Sequence, residues 1–464
     1  MKLSKYTSIF EKDNVYAYYH SLRMKPVYVN EQYHKYIQEI VLADNSEQAI
    51  DNLPEAYKQQ MTLLLKALQN NKIIIEDENY DIKVLNMLRE KLPKPSIQVA
   101  YFIMSELCNL ACSYCFIENS MDENAIRQKI MTKETVKQGL DFFTKQILLD
   151  MDSFEDEKAI IIYGGEPLTN FEVVQYLLDM IDEYKADKRL PERTTVSMIT
   201  NGTLLSKEIA QILKERNVSV SISLDGATAV ENSCRKYRNG DEAYRDIIKG
   251  VENATEAEID CSLSVTLTEE TIKDLSQIET MVDEYNIKSL GFNIIMTDET
   301  FSVSEEYNEE ASEFILNAFE VFRKKGIYED RIMRKAKAFV DAKIYLYDCA
   351  AVGGNQIIIA PNGQVGICHG YLYNRDYFPT TIDNLEFDPV KDDVYLEWSR
   401  RTPVNMDECV DCSALGICGG GCPLSAKKNG KNQSIWDLDE RFCVHAKKTL
   451  EWLIWDLYAK SVKQ

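Results

Sequence analysis

The sequence predicts an α/β fold built on an incomplete version of the eight-unit (β/α) barrel. From Ser96 onward, short apolar runs with strand character alternate with helical segments, which is typical of a parallel sheet. Six strand–helix units fit between residues 96 and 300. Polar motifs follow these strands, and the carboxyl ends of the strands are where barrel enzymes keep their reactive groups.

The predicted elements of the barrel follow one another in alternation. Strands are expected at residues 98–104, 159–163, 195–200, 218–224, 260–268 and 287–296. Helices are expected at residues 132–149, 171–184, 207–216 and 245–257, with one more between the last two strands. The second, third and fourth strands end in Gly164-Gly165, Asn201-Gly202 and Asp225-Gly226. These motifs are therefore expected to meet at one edge of the sheet.

The segment 1–95 has a different pattern. Two short apolar runs, 15–19 and 26–29, predict the strands of a hairpin. Asn30 is a residue type that caps helices, and a helix is expected from it to Val41. A second helix is predicted at 54–69 and a strand at 72–76.

Length, charge and cysteine content narrow the class of protein. The chain has 464 residues, enough for about three domains. Its net charge of −22 disfavours nucleic acid and anionic membranes as partners, because both need a basic surface. No apolar run reaches the length of a membrane span, and the first thirty residues lack the apolar core of a signal peptide, so a cytoplasmic protein is expected. Twelve cysteines in such a protein indicate metal ligands rather than disulfides.

A group of three cysteines follows the first predicted barrel strand. Cys108, Cys112 and Cys115 form a C-x3-C-x2-C pattern. Three thiolates on one short loop can hold three corners of a cubane iron–sulfur cluster, which usually takes four. The fourth iron would then be open, and an open metal position marks a reactive site, as it does for zinc. The alternatives are three buried structural thiols or half of a zinc site.

This spacing, with Tyr114 before the third cysteine, resembles the cluster loop of the radical S-adenosylmethionine (SAM) enzymes. The resemblance implies that the open iron chelates the amino and carboxylate groups of SAM and that SAM cleavage releases a 5′-deoxyadenosyl radical. Cys108, Cys112 and Cys115 would be the catalytic cluster ligands. Tyr114 would lie against the cofactor.

Further motifs of the same family follow the later strands. Gly164-Gly165-Glu166 matches the segment that holds the SAM amino group, through exposed carbonyls and the Glu166 carboxylate. By the same resemblance, Ser223 contacts polar groups of SAM and Arg235 contacts its carboxylate. Arg238 is the competing candidate for that arginine, and a surface role for Arg235 is the other interpretation.

The C-terminal part of the chain carries seven more cysteines at fixed spacing. Cys349 and Cys368 flank a predicted hairpin with a Pro361-Asn362-Gly363 turn, and a C-x2-C-x5-C-x3-C run and a last cysteine follow. The run and the last cysteine are Cys409, Cys412, Cys418, Cys422 and Cys443. The run alone is compatible with a zinc knuckle, but seven cysteines are too many for one zinc.

This order of seven cysteines resembles the SPASM domain of peptide-modifying radical SAM enzymes. The resemblance implies two auxiliary [4Fe–4S] clusters, and therefore three clusters and SAM as the cofactors. The outer auxiliary cluster would be bound by Cys409, Cys412, Cys418 and Cys443, and the inner one by Cys349, Cys368 and Cys422. With three cysteine ligands, the inner cluster is either closed by another group or open to a substrate thiolate.

His369 directly follows the predicted ligand Cys368 and is predicted to line the cavity as a catalytic residue. In the related sulfatase-maturing enzymes an aspartate near that place is the proton acceptor. A neutral histidine can accept a proton near neutral pH. The alternative role for His369 is a hydrogen bond to a cluster sulfur.

These observations predict four regions. Residues 1–95 resemble the winged-helix-like modules that hold a leader peptide, residues 96–300 form the radical SAM partial barrel, residues 301–345 form a helical bridge, and residues 346–464 form the SPASM domain. In the first region, the peptide would add a strand to an exposed edge of the hairpin.

The predicted function is maturation of a ribosomally made precursor peptide. The radical would abstract a C–H hydrogen, and a cysteine sulfur would form a thioether at that carbon, with electrons supplied by a flavodoxin-type or ferredoxin-type donor. The alternatives are side-chain oxidation as in sulfatase maturation, carbon–carbon crosslinking, and a non-catalytic zinc protein that binds peptides.

Overall fold

The computed structural model describes residues 1–77, 79–117, 129–298 and 301–462. The N-terminal region consists of β1 (Lys2–Leu3), β2 (Thr7–Lys12), β3 (Val15–His20), β4 (Val27–Asn30), α1 (Glu31–Leu42), α2 (Ser46–Asp51), α3 (Glu55–Asn70), β5 (Ile74–Ile75) and α4 (Tyr80–Glu90). The predicted helix cap is confirmed, since the Asn30 side chain accepts from the Tyr33 amide at 3.0 Å.

The hairpin predicted near the N-terminus is present, and one strand that was not predicted extends it. The strands β3 and β4 pair as expected, but β2 pairs with β3 on the other side and makes a three-stranded antiparallel sheet. Asp13 and Asn14 join β2 to β3, both with positive φ, and such two-residue turns match the twist of a hairpin. The prediction missed β2 because its side chains are mostly polar.

The barrel region contains the six predicted strand–helix units. Its elements are β6 (Val99–Ser105), α5 (Lys133–Ile147), β7 (Ala159–Gly164), α6 (Phe171–Ala186), β8 (Thr195–Thr200), α7 (Lys207–Glu215), β9 (Ser219–Ser223), α8 (Tyr244–Glu256), β10 (Cys261–Leu267), α9 (Leu275–Glu284) and β11 (Ser289–Ile294). Strands β6 to β11 lie side by side in chain order and are all parallel. The carboxyl ends of these strands therefore share one edge of the sheet.

The C-terminal region extends the same sheet. It contains α10 (Tyr307–Lys325), β12 (Tyr328–Glu329), α11 (Asp330–Asp341), β13 (Gln356–Ile359), β14 (Gln364–Gly366), β15 (Thr380–Thr381), α12 (Asp393–Arg400), α13 (Asp407–Val410), α14 (Leu415–Cys418), α15 (Pro423–Asn429) and α16 (Glu440–Val462). Strand β12 pairs with β11, and β13 pairs in parallel with β6, so the described sheet has ten strands. The predicted Pro-Asn-Gly hairpin is present as β13 and β14.

The regions pack on one another through shared apolar cores. The main core runs from the barrel strands through α10 to the β13–β14 hairpin. The N-terminal sheet packs on α16, where the Tyr28 hydroxyl donates to the Ile454 carbonyl at 2.6 Å. Among the described helices, none has both the length and the apolar character needed to cross a lipid bilayer.

Candidate active site

The loop with the first three cysteines lies at the carboxyl end of β6, where it meets the ends of the next three strands. Cys108, Cys112 and Cys115 take part in no disulfide bond and are all half-buried. The loop is also fastened to the segment before α8, because the Ala111 amide donates to the Lys236 carbonyl at 2.8 Å. The loop is therefore held on several sides.

The end of β7 supports the start of this loop through backbone contacts. The Gly165 amide donates to the Ser105 carbonyl at 2.7 Å, and the Glu166 amide donates to the Leu107 carbonyl at 3.0 Å. A Cβ atom on Gly165 would lie 2.5 Å from the Leu107 oxygen, and one on Gly164 would collide with the Ser105 oxygen. Only glycine allows so close an approach, which explains both residues of the pair.

The Glu166 side chain connects the end of β7 to the end of β8. It is fully buried and accepts hydrogen bonds from the Thr200 hydroxyl at 2.7 Å, the Asn201 amide at 2.8 Å and the Leu168 amide at 3.0 Å. Burial raises the pKa of Glu166 to about 7, and these hydrogen bonds oppose the rise. The described contacts of the carboxylate are thus internal, and the SAM contact predicted for Gly164-Gly165-Glu166 stays a prediction.

Asn201, at the end of β8, holds the loop by its side chain. Its Nδ2 donates to Asn109 Oδ1 at 2.9 Å and lies 3.7 Å from the Cys108 sulfur. The Asn109 Nδ2 donates in turn to the Thr203 hydroxyl at 2.8 Å. The sequence reasoning did not assign this role to Asn201, although its place after a barrel strand was the available signal.

Asp225, just after β9, forms the third attachment. The hydroxyl of Tyr114 donates to Asp225, and Arg235 donates to the same carboxylate through Nε at 2.9 Å and Nη2 at 2.8 Å. The Arg235 side chain is 6% exposed and the Asp225 side chain is fully buried, so this is a buried bidentate ion pair. The structure thus brings Tyr114 and Arg235 together on a carboxylate that sequence reasoning missed.

The remaining predicted SAM contacts lie near the same edge. Ser223 is the last residue of β9 and is half-buried. Arg238 donates from Nε to the Cys108 carbonyl at 2.8 Å, on the exposed side of the loop. Asp225 accepts hydrogen bonds from two nitrogens of Arg235, whereas Arg238 donates to the loop backbone. The SAM contacts predicted for Ser223 and Arg235 stay predictions.

The ten motif cysteines occur in three groups. Burial, the Glu166 carboxylate and the neighbouring thiols of Cys112 and Cys115 together raise the pKa of Cys108 to about 12. Neighbouring thiols also raise the pKa of cysteines within two further groups, which are Cys349, Cys368 and Cys422, and Cys409, Cys412, Cys418 and Cys443. The structure therefore brings together the same sets of thiols that the family resemblance implies as ligand sets.

The donor set of each group suits an iron–sulfur cluster better than a single ion. Each group contains only cysteine, which is the usual ligand of such clusters. Four thiols of the outer group, Cys409, Cys412, Cys418 and Cys443, line a cavity of about 430 Å³, together with Ser8 of β2 and other residues. Among the described residues, no three His, Cys, Asp or Glu side chains converge to bind one metal ion. All-cysteine donor sets are compatible with iron–sulfur clusters, and the number of clusters stays a prediction.

His369 lies in a ring of aromatic side chains between the first and second groups of cysteines. Its ring centroid is 5.3 Å from that of Tyr101, 5.0 Å from Tyr163 and 5.8 Å from Phe116. Burial lowers the pKa of His369 to about 4, so the imidazole is neutral at pH 7. Its Nδ1 has no hydrogen-bond partner among the described residues. A catalytic role for His369 stays a prediction.

Sequence comparison agrees with this geometry. The Radical SAM superfamily matches residues 102–282, which include the cysteine loop and the ends of β7, β8 and β9. The chain carries a radical SAM domain. Its relatives include the radical SAM cyclopropyl synthase TigE of Paramaledivibacter caminithermalis, 26% identical over 95% of this chain and 93% of that protein. They also include the antilisterial bacteriocin subtilosin biosynthesis protein AlbA of Bacillus subtilis, 22% identical over 84% of this chain and 82% of AlbA.

Solved structures show the same fold around the radical SAM domain. The structure of anSMEcpe with bound AdoMet and Cp18Cys peptide covers 79% of this chain and 99% of its own, with 18% identity and a TM-score of 0.62. Streptococcus suis SuiB bound to precursor peptide SuiA covers 95% of this chain and 99% of its own, with 15% identity and a TM-score of 0.53. These structures share the fold of the chain, and its radical SAM domain implies a [4Fe–4S] cluster and SAM.

Proposed function

We propose that this radical SAM enzyme matures a ribosomally made precursor peptide by forming a thioether between a cysteine sulfur and a carbon of another residue. The observation that supports it best is the grouping of ten thiols into one set of three at the barrel edge, a second set of three, and a set of four. An electron donor of the flavodoxin or ferredoxin type would supply the reducing electrons.

In this proposal, the loop after β6 binds the catalytic cluster and SAM. Cys108, Cys112 and Cys115 would hold the cluster, which, once bound with SAM, supplies a radical able to remove hydrogen from an unactivated carbon. Asn201 and Asp225 keep the loop in place from two strand ends, through Asn109 and Tyr114. Rigid attachment of this kind positions the reacting carbon and limits side reactions.

The inner group supports thioether formation in particular. Cys349, Cys368 and Cys422 are three thiols, one fewer than a cubane cluster usually takes. The thiolate of a substrate cysteine is a soft ligand suited to the fourth position. His369 lies between this group and the radical SAM loop, beside Phe116 of that loop, so a peptide reaching both groups would contact it.

A second candidate function is closure of a carbon–carbon bond to give a cyclopropane. It is favoured by the similarity to TigE, a radical SAM cyclopropyl synthase, because the match spans 95% of this chain, including the N-terminal region. Both reactions remove two hydrogens from the peptide. They differ in that only thioether formation consumes a thiol.

The N-terminal region is proposed to bind the leader of the precursor peptide. The strands β2 and β4 are the edges of its three-stranded sheet, and a peptide can add to such an edge by main-chain hydrogen bonds. Ile9 of β2 is 37% exposed and offers an apolar contact. We expect Ile9→Glu to weaken leader binding measured by fluorescence anisotropy, whereas Leu63→Glu on α3 should not. If Leu63→Glu weakens leader binding and Ile9→Glu does not, the leader binds the helices and not the edge of the sheet.

The reaction is tested with the anaerobically reconstituted enzyme and the cysteine-bearing peptide encoded beside its gene. About twelve irons per chain, SAM cleavage and loss of two hydrogens from the peptide are expected. Alkylation with iodoacetamide then separates the products, because a thioether removes one alkylation site and a cyclopropane removes none. Cys112→Ala should abolish SAM cleavage. Zinc in place of iron, or no deoxyadenosine from the wild type, would refute the proposal.

A further inference from the structure

Arg401 is a fully buried arginine at the C-terminal end of α12. Its exposed fraction is 0%. The guanidinium donates only to backbone carbonyls in the described structure: Nη1 to Gly420 at 2.7 Å and to Gly421 at 3.3 Å, Nη2 to Asp437 at 3.1 Å, and Nε to Ile435. Its hydrogen bonds are therefore satisfied by backbone carbonyls, and none of them goes to a carboxylate.

Other buried arginines in the described chain have a carboxylate partner. Arg235 is paired with Asp225, and Arg441 with Asp439 at 2.9 Å. For Arg401, no acidic side chain of the described residues lies within 4 Å. Asp439 and Asp437 are the nearby carboxylates. Arg441 binds both oxygens of Asp439, and Asp437 accepts from Asn432 and the Ser434 amide. A buried cation that shares no hydrogen bond with a carboxylate keeps a desolvation cost, which further anionic groups nearby would offset.

The acidic groups that face Arg401 are the carboxylates of Asp437 and Asp439 and cysteines from both C-terminal groups. Burial lowers the pKa of the Arg401 guanidinium, and the groups that oppose this are Cys422, Asp439, Cys409 and Cys349. Cys422 and Cys349 belong to the inner group, and Cys409 to the outer group. As neutral thiols these side chains offer no counter-charge, whereas as cluster ligands they are thiolates.

The hydrogen bonds of Arg401 also join the two groups. Gly420 and Gly421 lie in the connector between Cys418 of the outer group and Cys422 of the inner group. All three glycines of this connector, 419 to 421, have positive φ, which only glycine adopts readily. Arg401 binds the carbonyls of two of them, so it is positioned between the two proposed clusters.

We propose that Arg401 is a positioning residue that supplies one positive charge shared by both auxiliary clusters and thereby raises the reduction potential of each. Reduction adds an electron, and a buried cation nearby stabilises the more negative state. Arg401 needs no contact with the peptide or SAM for this role. The inference rests on the auxiliary clusters of the proposed function.

The test measures the midpoint potentials of all clusters in the reconstituted full-length enzyme by EPR-monitored redox titration. In Arg401→Met we expect the equilibrium constant for reduction of both auxiliary clusters to fall about tenfold, which is about 59 mV for one electron. Arg401→Lys keeps the charge and should retain potentials near those of the wild type. Arg323→Met is the matched control, because Arg323 pairs with Asp456 near the far end of α16, about 20 Å along the helix from Cys443. Neither the control nor the SAM-binding cluster should shift.

The outcomes separate this inference from the proposed function. A wild type with only about four irons would refute the auxiliary clusters themselves. With about twelve irons present, unshifted potentials in Arg401→Met, or equal shifts in the methionine and lysine variants, would overturn the role of the charge. If Arg401→Met retains about four irons while Arg401→Lys retains about twelve, the charge is required and the proposal stands. Loss of the auxiliary irons from both variants would assign the effect to the hydrogen bonds and overturn the proposal.

Discussion

Asp225 is the residue that joins the cysteine loop to two other parts of the radical SAM domain. Its carboxylate accepts from Tyr114, from two nitrogens of Arg235 and from the Thr266 amide at 2.9 Å. These donors belong to the loop after β6, the segment before α8 and strand β10. One buried carboxylate thus fixes three parts of the radical SAM domain relative to one another.

We expect Asp225→Asn to destabilise the protein by about 3–5 kcal/mol, because it leaves Arg235 as a buried cation without a partner. Urea unfolding measures this loss. The control is Asp179→Asn, which removes one of the two exposed carboxylate partners of Arg216 and should cost at most about 1 kcal/mol. Equal effects of the two substitutions would contradict the importance assigned to the buried pair.

His20 on β3 makes the N-terminal region sensitive to acid. It is 1% exposed, its Nδ1 accepts from the Leu22 amide at 3.2 Å, and burial lowers its pKa to about 4. The folded state therefore resists protonation of His20, while the unfolded state takes up a proton near pH 6.5. Stability contributed by the neutral ring is present above that pH and is lost as the pH falls toward 4.

Between pH 7 and pH 5, the wild type should lose on the order of 2 kcal/mol more unfolding free energy than His20→Gln, which cannot titrate. Urea unfolding of both proteins at the two pH values gives the difference. His34→Gln is the control and should show a smaller difference, since His34 is less buried. If the unfolding free energies of the wild type and His20→Gln depend on pH in the same way, His20 is not the source of the acid sensitivity.

At the scale of elements, the end of β7 is fitted to the loop after β6. The Gly164-Gly165 pair allows the two backbones to touch, and the amides of Gly165 and Glu166 then bond to the loop. A residue with a side chain would push the segment that leads to Cys108 away from the barrel. The glycine pair thus has a structural reason that is independent of any cofactor.

Gly165→Ala should cost about 1–3 kcal/mol and displace the start of the cysteine loop, because the new methyl group would lie 2.5 Å from the Leu107 oxygen. We expect lower iron retention at the SAM-binding cluster, measured after anaerobic reconstitution and gel filtration. Gly291→Ala on β11 is the matched control, since its methyl group would be 3.9 Å from the nearest Asp330 atom. Equal iron retention in both variants would contradict the steric argument.

At the scale of the whole molecule, the C-terminal region is joined to the barrel by more than the connecting chain. Strand β13 pairs with β6, directly before the cysteine loop. Arg375, after β14, forms an ion pair with Glu106, which is fully buried two residues before Cys108. The barrel and the C-terminal region therefore share both a sheet and a buried charge pair.

Arg375→Met should destabilise the whole chain by about 1.5–3 kcal/mol, because it removes a charged hydrogen-bond partner of the buried Glu106 carboxylate. The reference variant is Lys427→Met, whose pair with Asp376 is about one-third exposed and should contribute no more than about 1 kcal/mol. Urea unfolding followed by circular dichroism compares the two. A loss in Arg375→Met no larger than in the reference would show that Glu106 is compensated by another group.

The barrel could be predicted closely because its signals are local. The strand over 195–200 was predicted with the observed bounds, and the other five barrel strands within two residues at each end. Strand β2 and helix α4 were missed because their apolar faces are short and interrupted. The roles of Asn201, Asp225 and Arg401 could not be read from the sequence, since each depends on side chains from distant segments.

The cysteine spacing and the alternation of strands and helices were enough to indicate the chemistry and the barrel, because both are properties of neighbouring residues along the chain. Which thiols face one another, how the loop is held and where the buried Arg401 lies depend on contacts between remote segments. Folding brings these segments together: β6 beside β13, Asp225 beneath Tyr114, and Arg401 between the two C-terminal cysteine groups.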